Sequence, residues 1–344
     1  MSQLPLTAAN LTRRRFLGLT AAGAAGLALG ACGDDAGDDG PAEAGGAGEG
    51  GGFDGRTISV ALYSKNHASS PLFWQQFAPE GLTVEPKIFT SGSDMNRAMQ
   101  AGDLDFGLMG SYNSLIEAEQ GFETKIICMC SRQGIGIITR ADQDLASAAD
   151  LAGKRIAVPP PGVQVLLFTT LLKEAGLSLD DDVEAVPLGY ADHPGALERG
   201  DVDAYAGTEP LATMSVLSGV GRRLEGIYET PAGSFNTAMF AAPHVQDDAE
   251  LLAAVVEMQR GAAELLTPDG ENDPEVWREL LVDEFGYETA VYEEVLSNIG
   301  AEWKFGEERM AEIEGAGSLM LESGVLQEEP DFESLYLLDY LPDA

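Results

Sequence analysis

The sequence predicts an α/β protein built as two lobes, each a sheet flanked by helices. Three features carry that expectation: β-rich runs alternate with helical ones, a Gly-Asp-x-Asp turn occurs twice at a fixed spacing, and the chain beyond Pro243 reads as helix.

Taken in order, Thr57 to Tyr63 is a β-rich run, and Ser69-Ser70-Pro71 caps a short helix with proline in its first turn. Thr83 to Phe89 forms a second strand and leads through residues 90–94 into a helix ending at Ala101-Gly102, after which Asp103 to Gly110 enters a third strand. The same order returns downstream. A strand over 155–158, the loop Pro159 to Gly162, a helix over 163–175 and a strand over 183–188 are followed by Gly189 to Asp192 opening a helix and by Gly200 to Gly207. Gly102-Asp103-x-Asp105 and Gly200-Asp201-x-Asp203 lie 98 residues apart, as do Ile58-x-Val60 and Ile156-x-Val158. Two landmarks sharing one offset indicate duplicated architecture. The glycines end helices and the acids open strands, so the repeat is turn chemistry rather than metal ligation. Past Pro243, helices are expected over 249–266 behind Asp247-Asp248, over 275–285 started by Pro274, over 289–299 and over 307–323. They should pack back on lobe one, with their Met and aromatic residues as core.

Charge narrows the function classes. Among 344 residues, 20 Lys and Arg face 57 Asp and Glu, a net charge of -37, and a nucleic acid would be repelled. With 44% hydrophobic and 22% charged residues the chain can build a core. The carboxylate excess suits either a salty or alkaline medium or an ordinary acidic exported protein.

Export is written at the N-terminus. Arg13-Arg14-Arg15 precede Phe16-Leu17 and a short Gly/Ala-rich apolar run to Ala31, too short to span a bilayer. The basic pair resembles a twin-arginine signal, and Leu29-Gly30-Ala31-Cys32 resembles a bacterial lipobox, in which Cys32 is acylated after removal of residues 1–31. A structural Cys32 is the alternative. Removing the leader leaves 17 basic and 57 acidic residues, a net charge of -40. Residues 33–52 hold only Gly, Ala, Asp, Glu and one Pro, the composition of a flexible tether. Cys128 and Cys130 lie too far apart on a strand for an easy disulfide and have no His or third Cys nearby, so they read as small buried hydrophobes. Neither a metal nor a cofactor is expected.

In open α/β sheets ligands sit beyond the carboxyl ends of the strands. The loops expected to line a cleft are 63–70, 90–94, 110–113, 159–164, 189–192 and 208–209. They offer Ser64, Lys65, His67, Ser91, Ser93, Gly110, Ser111, Tyr112, Gly162, Val163, Gln164, Tyr190, Asp192, Thr208 and Glu209, with Asn236 on a return segment. Free backbone N–H groups and these serines could hold a small polar ligand without a metal, and each serine reads equally as a helix cap. Tyr63, Tyr112 and Tyr190 would stack on a flat ligand or cover the rim.

The stretch Ala149-Asp150 to Val158, then Gly162-Val163-Gln164, then Gly200 to Tyr205 and Glu209-Pro210, resembles the extracytoplasmic solute-binding proteins of ABC importers, within them the nitrate, taurine, aliphatic sulfonate and thiamine-precursor group. The resemblance covers about residues 55 to 265. It implies a type II periplasmic-binding-protein fold, with lobe one over 53–130 and 237–344 and lobe two over 131–236, and crossings near 128–133 and 231–236. It further implies a lipid-anchored, monomeric protein outside the cytoplasmic membrane, a small-molecule ligand, and a permease with ATPase subunits as partners. A nitrate or sulfonate would use Lys65, His67 or Arg132, whereas Glu209 would favour a ligand bearing an N–H or cationic group, unless Glu209-Pro210 is only a strand end. The same fold serves cytosolic enzymes of thiamine-pyrimidine and menaquinone synthesis. With His67, His193 and His244 the only histidines and no nucleophile pattern, catalysis is not expected. A tethered sensor is the remaining alternative.

Overall fold

A computed structural model describes residues 52–159, 163–230, 235–322 and 324–342, the side chains of 163, 235 and 236 excepted. The leader, Cys32 and the tether through residue 51 lie outside the described residues, as does Gly162.

Two sheets organise the chain. The first combines β1 (Arg56–Tyr63), β2 (Leu82–Phe89), β3 (Phe106–Gly110), β4 (Lys125–Gln133), β10 (Phe235–Ala241) and β11 (Ile299–Ala301) in the order β11-β4-β10-β3-β1-β2. Its flanking helices are α1 (Gly92–Ala101) and α2 (Asn113–Glu119). The second combines β5 (Ile135–Arg140), β6 (Arg155–Val158), β7 (Glu184–Pro187), β8 (Ala204–Thr208) and β9 (Gly221–Leu224) in the order β7-β6-β8-β5-β9. With it run α3 (Val163–Glu174), α4 (His193–Arg199) and α5 (Leu211–Leu217). Each sheet has a parallel βαβ half, β2-β1-β3 and β7-β6-β8, continued by antiparallel pairings, through β10, β4 and β11 in the first and β5 and β9 in the second. This is the type II arrangement that the sequence resemblance implied.

The repeated turn performs the same work in both lobes. Gly102 and Gly200 adopt φ of 78° and 72° and close α1 and α4 with left-handed caps. The second acid of each copy then ties down the neighbouring strand: Asp105 Oδ2 accepts the Ser59 N–H at 2.7 Å, and Asp203 Oδ2 accepts the Arg155 N–H at 3.0 Å.

The C-terminal segment supplies α6 (Ala249–Leu266), α7 (Pro274–Arg278), α8 (Thr289–Val295) and α9 (Glu307–Glu322). Asp248 caps α6 by accepting the Leu251 N–H at 3.0 Å. The single helix expected over 275–285 is instead α7 running into a π-helical turn at Glu279–Glu284, and the helix expected to reach residue 299 stops early and becomes β11. Pro71 starts a 3-10 turn, Ser70–Gln76, rather than an α-helix. Lobe one is centred on Trp74, Met95, Met99, Phe106 and Phe240, all fully buried. Gln259 of α6 reaches into it, its Oε1 accepting from Ser70 Oγ at 2.9 Å and Trp74 Nε1 at 3.0 Å and its Nε2 donating to the Glu302 carbonyl at 2.7 Å. A buried amide with all its partners made fixes how α6 seats on the sheet. Cys128 and Cys130 lie on β4 as buried, unpaired thiols, their acidity suppressed by burial.

Candidate functional site

Gly134 alone separates β4 from β5, and the chain passes from one sheet to the other there. Its φ is 83°, its N–H donates to the Asn298 carbonyl of lobe one at 2.8 Å, and its carbonyl accepts the Glu209 N–H of lobe two at 2.8 Å. A Cβ on Gly134 would stand 2.0 Å from His67 Nε2. Tyr228 clamps the next residue, its hydroxyl accepting the Ile135 N–H at 2.7 Å and donating to the Ile135 carbonyl at 2.9 Å. On the far side, Lys173 Nζ of α3 meets Glu322 Oε2 of α9 at 2.6 Å.

Between these contacts the strand ends of the two sheets bring aromatic and polar groups together. Tyr63, at the end of β1, lies within electrostatic reach of both Tyr190 of lobe two and Glu117 of α2. Burial is the main cause of its raised phenol pKa, and those two neighbours add to it. Tyr190 donates to Gln164 Oε1 at 2.9 Å. His193 lies next to it, ring centroids 5.8 Å apart and tilted by 59°, and Tyr205 lies 5.2 Å beyond His193, tilted by 43°. Gly92 opens α1 with no space for a side chain in front of it: a Cβ there would come within 2.9 Å of Asn113 Nδ2 and 3.0 Å of Tyr63 Oη.

Several residues singled out from sequence fall differently. Glu209 does not face the cleft as a free acid: it is fully buried, Arg223 closes on one carboxylate oxygen, and the other accepts the Thr213 N–H at 3.0 Å. Its charge is neutralised inside lobe two, the strand-end role considered at the outset. Tyr112 is core, fully buried near Arg309 and Glu312 of α9, rather than a rim aromatic. His67 is 2% exposed, its Nδ1 lies 3.4 Å from the Glu209 carbonyl, and burial lowers its pKa to about 4, so it is a neutral packing group and not a cation for an anionic ligand. Arg132 turns away to the Gly270 carbonyl, beside a groove of about 470 Å³ next to Trp303. Lys65 is exposed, with its carbonyl held by the Tyr287 hydroxyl at 3.0 Å. None of the three cations expected for an anion reaches the ring of groups around Tyr63.

Ser91 caps α1, accepting the Asp94 N–H at 3.2 Å, and Thr208 donates to the Gly134 carbonyl at 3.0 Å. Ser64, Ser93 and Asp192 are exposed at the loops, and Gly110 ends β3 opposite Thr237. Val163 opens α3 and Asn236 lies on β10, but their side chains are outside the described residues, and Gly162 is wholly so. Ser111 is fully buried and its Oγ makes no hydrogen bond.

Two groups that the sequence reading passed over stand out. Glu117 is 7% exposed, and burial pushes its pKa up to about 8 against the lowering effect of a side-chain hydrogen bond with Asn96. Asn96 is 1% exposed and is that partner on the facing helix. The available signal was the stripe Gly92, Met95, Asn96, Met99, an apolar face at helical spacing interrupted by one amide. Among the described residues no group of three or more His, Cys, Asp or Glu is placed to hold a metal, and no helix is long and apolar enough to cross a membrane.

Comparison with known proteins places this geometry. The profile of the NMT1-like family matches residues 74–279. A protein named as a binding protein from Brucella abortus is 27% identical over 233 residues, 64% of this chain and 69% of its own. The taurine-binding periplasmic protein of Escherichia coli is 32% identical over 128 residues, 37% of this chain and 40% of that one. The solved alkanesulfonate-binding protein SsuA of Xanthomonas axonopodis pv. citri, bound to MOPS, superposes with a TM-score of 0.70 at 20% identity, covering 83% of this chain and 99% of that one, a likeness of fold.

Proposed function

The chain belongs to the NMT1-like family, and on that premise we propose that it is the substrate-binding lipoprotein of an ABC-type importer. It captures a small polar solute, of the nitrate, sulfonate, taurine or thiamine-pyrimidine kind, between lobe one (53–130 and 237–344) and lobe two (131–236). It then delivers the solute to a membrane permease and its ATPase subunits. The observation that carries this reading is the approach of Tyr63 and Tyr190, from opposite lobes, to within electrostatic reach of each other, together with a crossing that narrows to Gly134. A site split between two bodies closes by hinge motion. Around it we assign to the ligand Ser64, Ser91, Ser93, Gly110, Ser111, Val163, Gln164, Asp192, Thr208 and Asn236, with Gly162 carried over from the sequence alone. The twin-arginine leader and Cys32 support export and a lipid anchor on the outer face of the cell membrane, with the protein working as a monomer.

The test is a thermal-shift screen of residues 53–344 against nitrate, bicarbonate, taurine, alkanesulfonates, aromatic carboxylates and aminopyrimidines, since a ligand that prefers the folded state raises the midpoint. Saturating amounts of any hit should also reduce the radius of gyration in X-ray scattering. Binding without contraction would refute hinge closure, and no shift by any compound would refute the solute class.

A further inference from the structure

We propose that Tyr228 is the positioning residue of lobe closure: its hydroxyl ties the outgoing crossing to the foot of the returning one, so that the outgoing crossing turns only on the two torsions of Gly134. This rests on the solute-binding reading above and assigns the axis about which that cleft opens and shuts.

The first ground is how the two peptide planes at Gly134 are held. The plane before it belongs to the first sheet: the Gly134 N–H donates at 2.8 Å to the carbonyl of Asn298, one residue ahead of β11, where Ile299 pairs with Gln133. Asn272 fixes that stretch, its Nδ2 donating to the Leu296 and Ile299 carbonyls at 2.8 Å each. The plane after it belongs to the second sheet. There the Gly134 carbonyl accepts the Glu209 N–H at 2.8 Å and the Thr208 hydroxyl at 3.0 Å. Peptide planes are stiff, so rotation passing along this crossing falls on the φ and ψ between them. Glycine can change both with no Cβ to obstruct the move.

The second ground is what Tyr228 replaces. Ile135 stands opposite Thr208 of β8, but on the other flank of β5 the pairing with β9 begins only at Ile137, opposite Leu224. Gly226, at a φ of 87°, then turns the chain away. The Tyr228 hydroxyl fills the place of the missing strand residue, accepting the Ile135 N–H at 2.7 Å and donating to the Ile135 carbonyl at 2.9 Å. Without it both groups of Ile135 lose their partner, and the turning spreads from Gly134 into residues 135 and 136.

The third ground is where Tyr228 stands. It lies on the 3-10 turn Ile227–Glu229, directly ahead of the returning crossing over 231–236. The clasp joins residues 93 apart in the chain and binds the two crossings together at their lobe-two ends. Two connections between rigid bodies define one axis when their ends keep a fixed separation. Phenylalanine at 228 keeps the ring and removes the hydroxyl, which favours release of the crossing by about tenfold or more.

Residues 53–344 form one compact unit whose only cysteines, Cys128 and Cys130, are buried. Spin labels can therefore be placed at E80C and D181C, exposed positions ahead of β2 and β7 on different lobes. With no solute added, Y228F should broaden the distribution of distances between the labels. Y205F is the control, since Tyr205 also carries a buried hydroxyl, bonded to Ser215 Oγ at 2.8 Å in the same lobe but away from the crossing. It should lower the melting temperature and leave the distribution as in the wild type. An unchanged distribution in Y228F, or equal broadening in Y205F, overturns the proposal and reduces Tyr228 to a stabilising contact. If Y228F does not fold, amide exchange in the wild type decides: Ile135 should exchange as slowly as Ile137, and exchange faster by about tenfold or more means that the clasp does not hold. Neither measurement needs a ligand, so failure of the importer reading shows separately, as absence of binding by every screened solute.

Discussion

Arg223 on β9 closes over the fully buried carboxylate of Glu209, whose second oxygen accepts the Thr213 N–H at 3.0 Å. The pair ties β9 to the end of β8, the second oxygen holds the first turn of α5, and Glu209 is left nothing to offer a ligand. Removing the cation alone strands a charge in the interior. R223M is expected to cost about 3–5 kcal/mol, and E209Q combined with it should recover part of that loss. Urea unfolding of the two variants checks this, and a double variant no more stable than R223M would show that the pair contributes only by packing.

The crossing at Gly134 allows no side chain. G134A places a methyl in the His67 ring at a φ of 83°, and should destabilise the protein by about 2 kcal/mol or more. H67A together with G134A relieves the clash but not the backbone strain, so the double variant should fall between G134A and wild type on thermal unfolding. Independent additive losses would refute the contact.

Two buried groups set opposite pH slopes. The folded protein keeps His67 neutral down to about pH 4, while the unfolded chain takes up a proton near 6.5. The stability it contributes is therefore complete above 6.5 and lost as the pH falls to about 4, up to about 3 kcal/mol. Glu117 runs the other way: its contribution is complete below 4.5 and lost as the pH rises through about 8. Between 4.5 and 6.5 the two partly cancel. H67N should unmask the Glu117 slope, with unfolding free energy falling as pH rises across that window. An unchanged profile would mean that His67 protonates freely in the folded state.

A net charge of -37 makes self-repulsion a standing cost. The melting temperature should rise between low and molar salt, measured by calorimetry in sodium chloride. A flat response would remove the halophilic reading of the composition.

The parts of the fold that could be read in advance were those with local signatures. Pro71, Asp248, Pro274 and the paired Gly102 and Gly200 set turns and helix ends through their own backbone chemistry, and α6 begins and ends where its apolar spacing does. The π-helical turn at Glu279–Glu284 and the switch to β11 at Ile299 depend on packing between distant segments, which periodicity does not encode. The site followed the same division. Loops at strand ends were locatable, but whether Glu209 met a ligand or Arg223, or whether His67 was charged, depended on partners remote in sequence. Glu117 was passed over because Leu115-Ile116-Glu117 reads as an ordinary amphipathic helix turn.

Lobe two is an insertion in lobe one, and β10 lies in the interior of the first sheet with β3 and β4 on either side. Leu108 must therefore wait for Met239, and Cys128 for the same residue, before the first sheet is continuous. During synthesis the earlier strands have no neighbour for the edges of β3 and β4 until all of lobe two has been made. Such long-range pairing slows folding and leaves exposed strand edges open to association with other chains. Lobe two, contiguous from β5 to β9, can close its own sheet first, so refolding should show its sheet forming ahead of the one that precedes it in the chain.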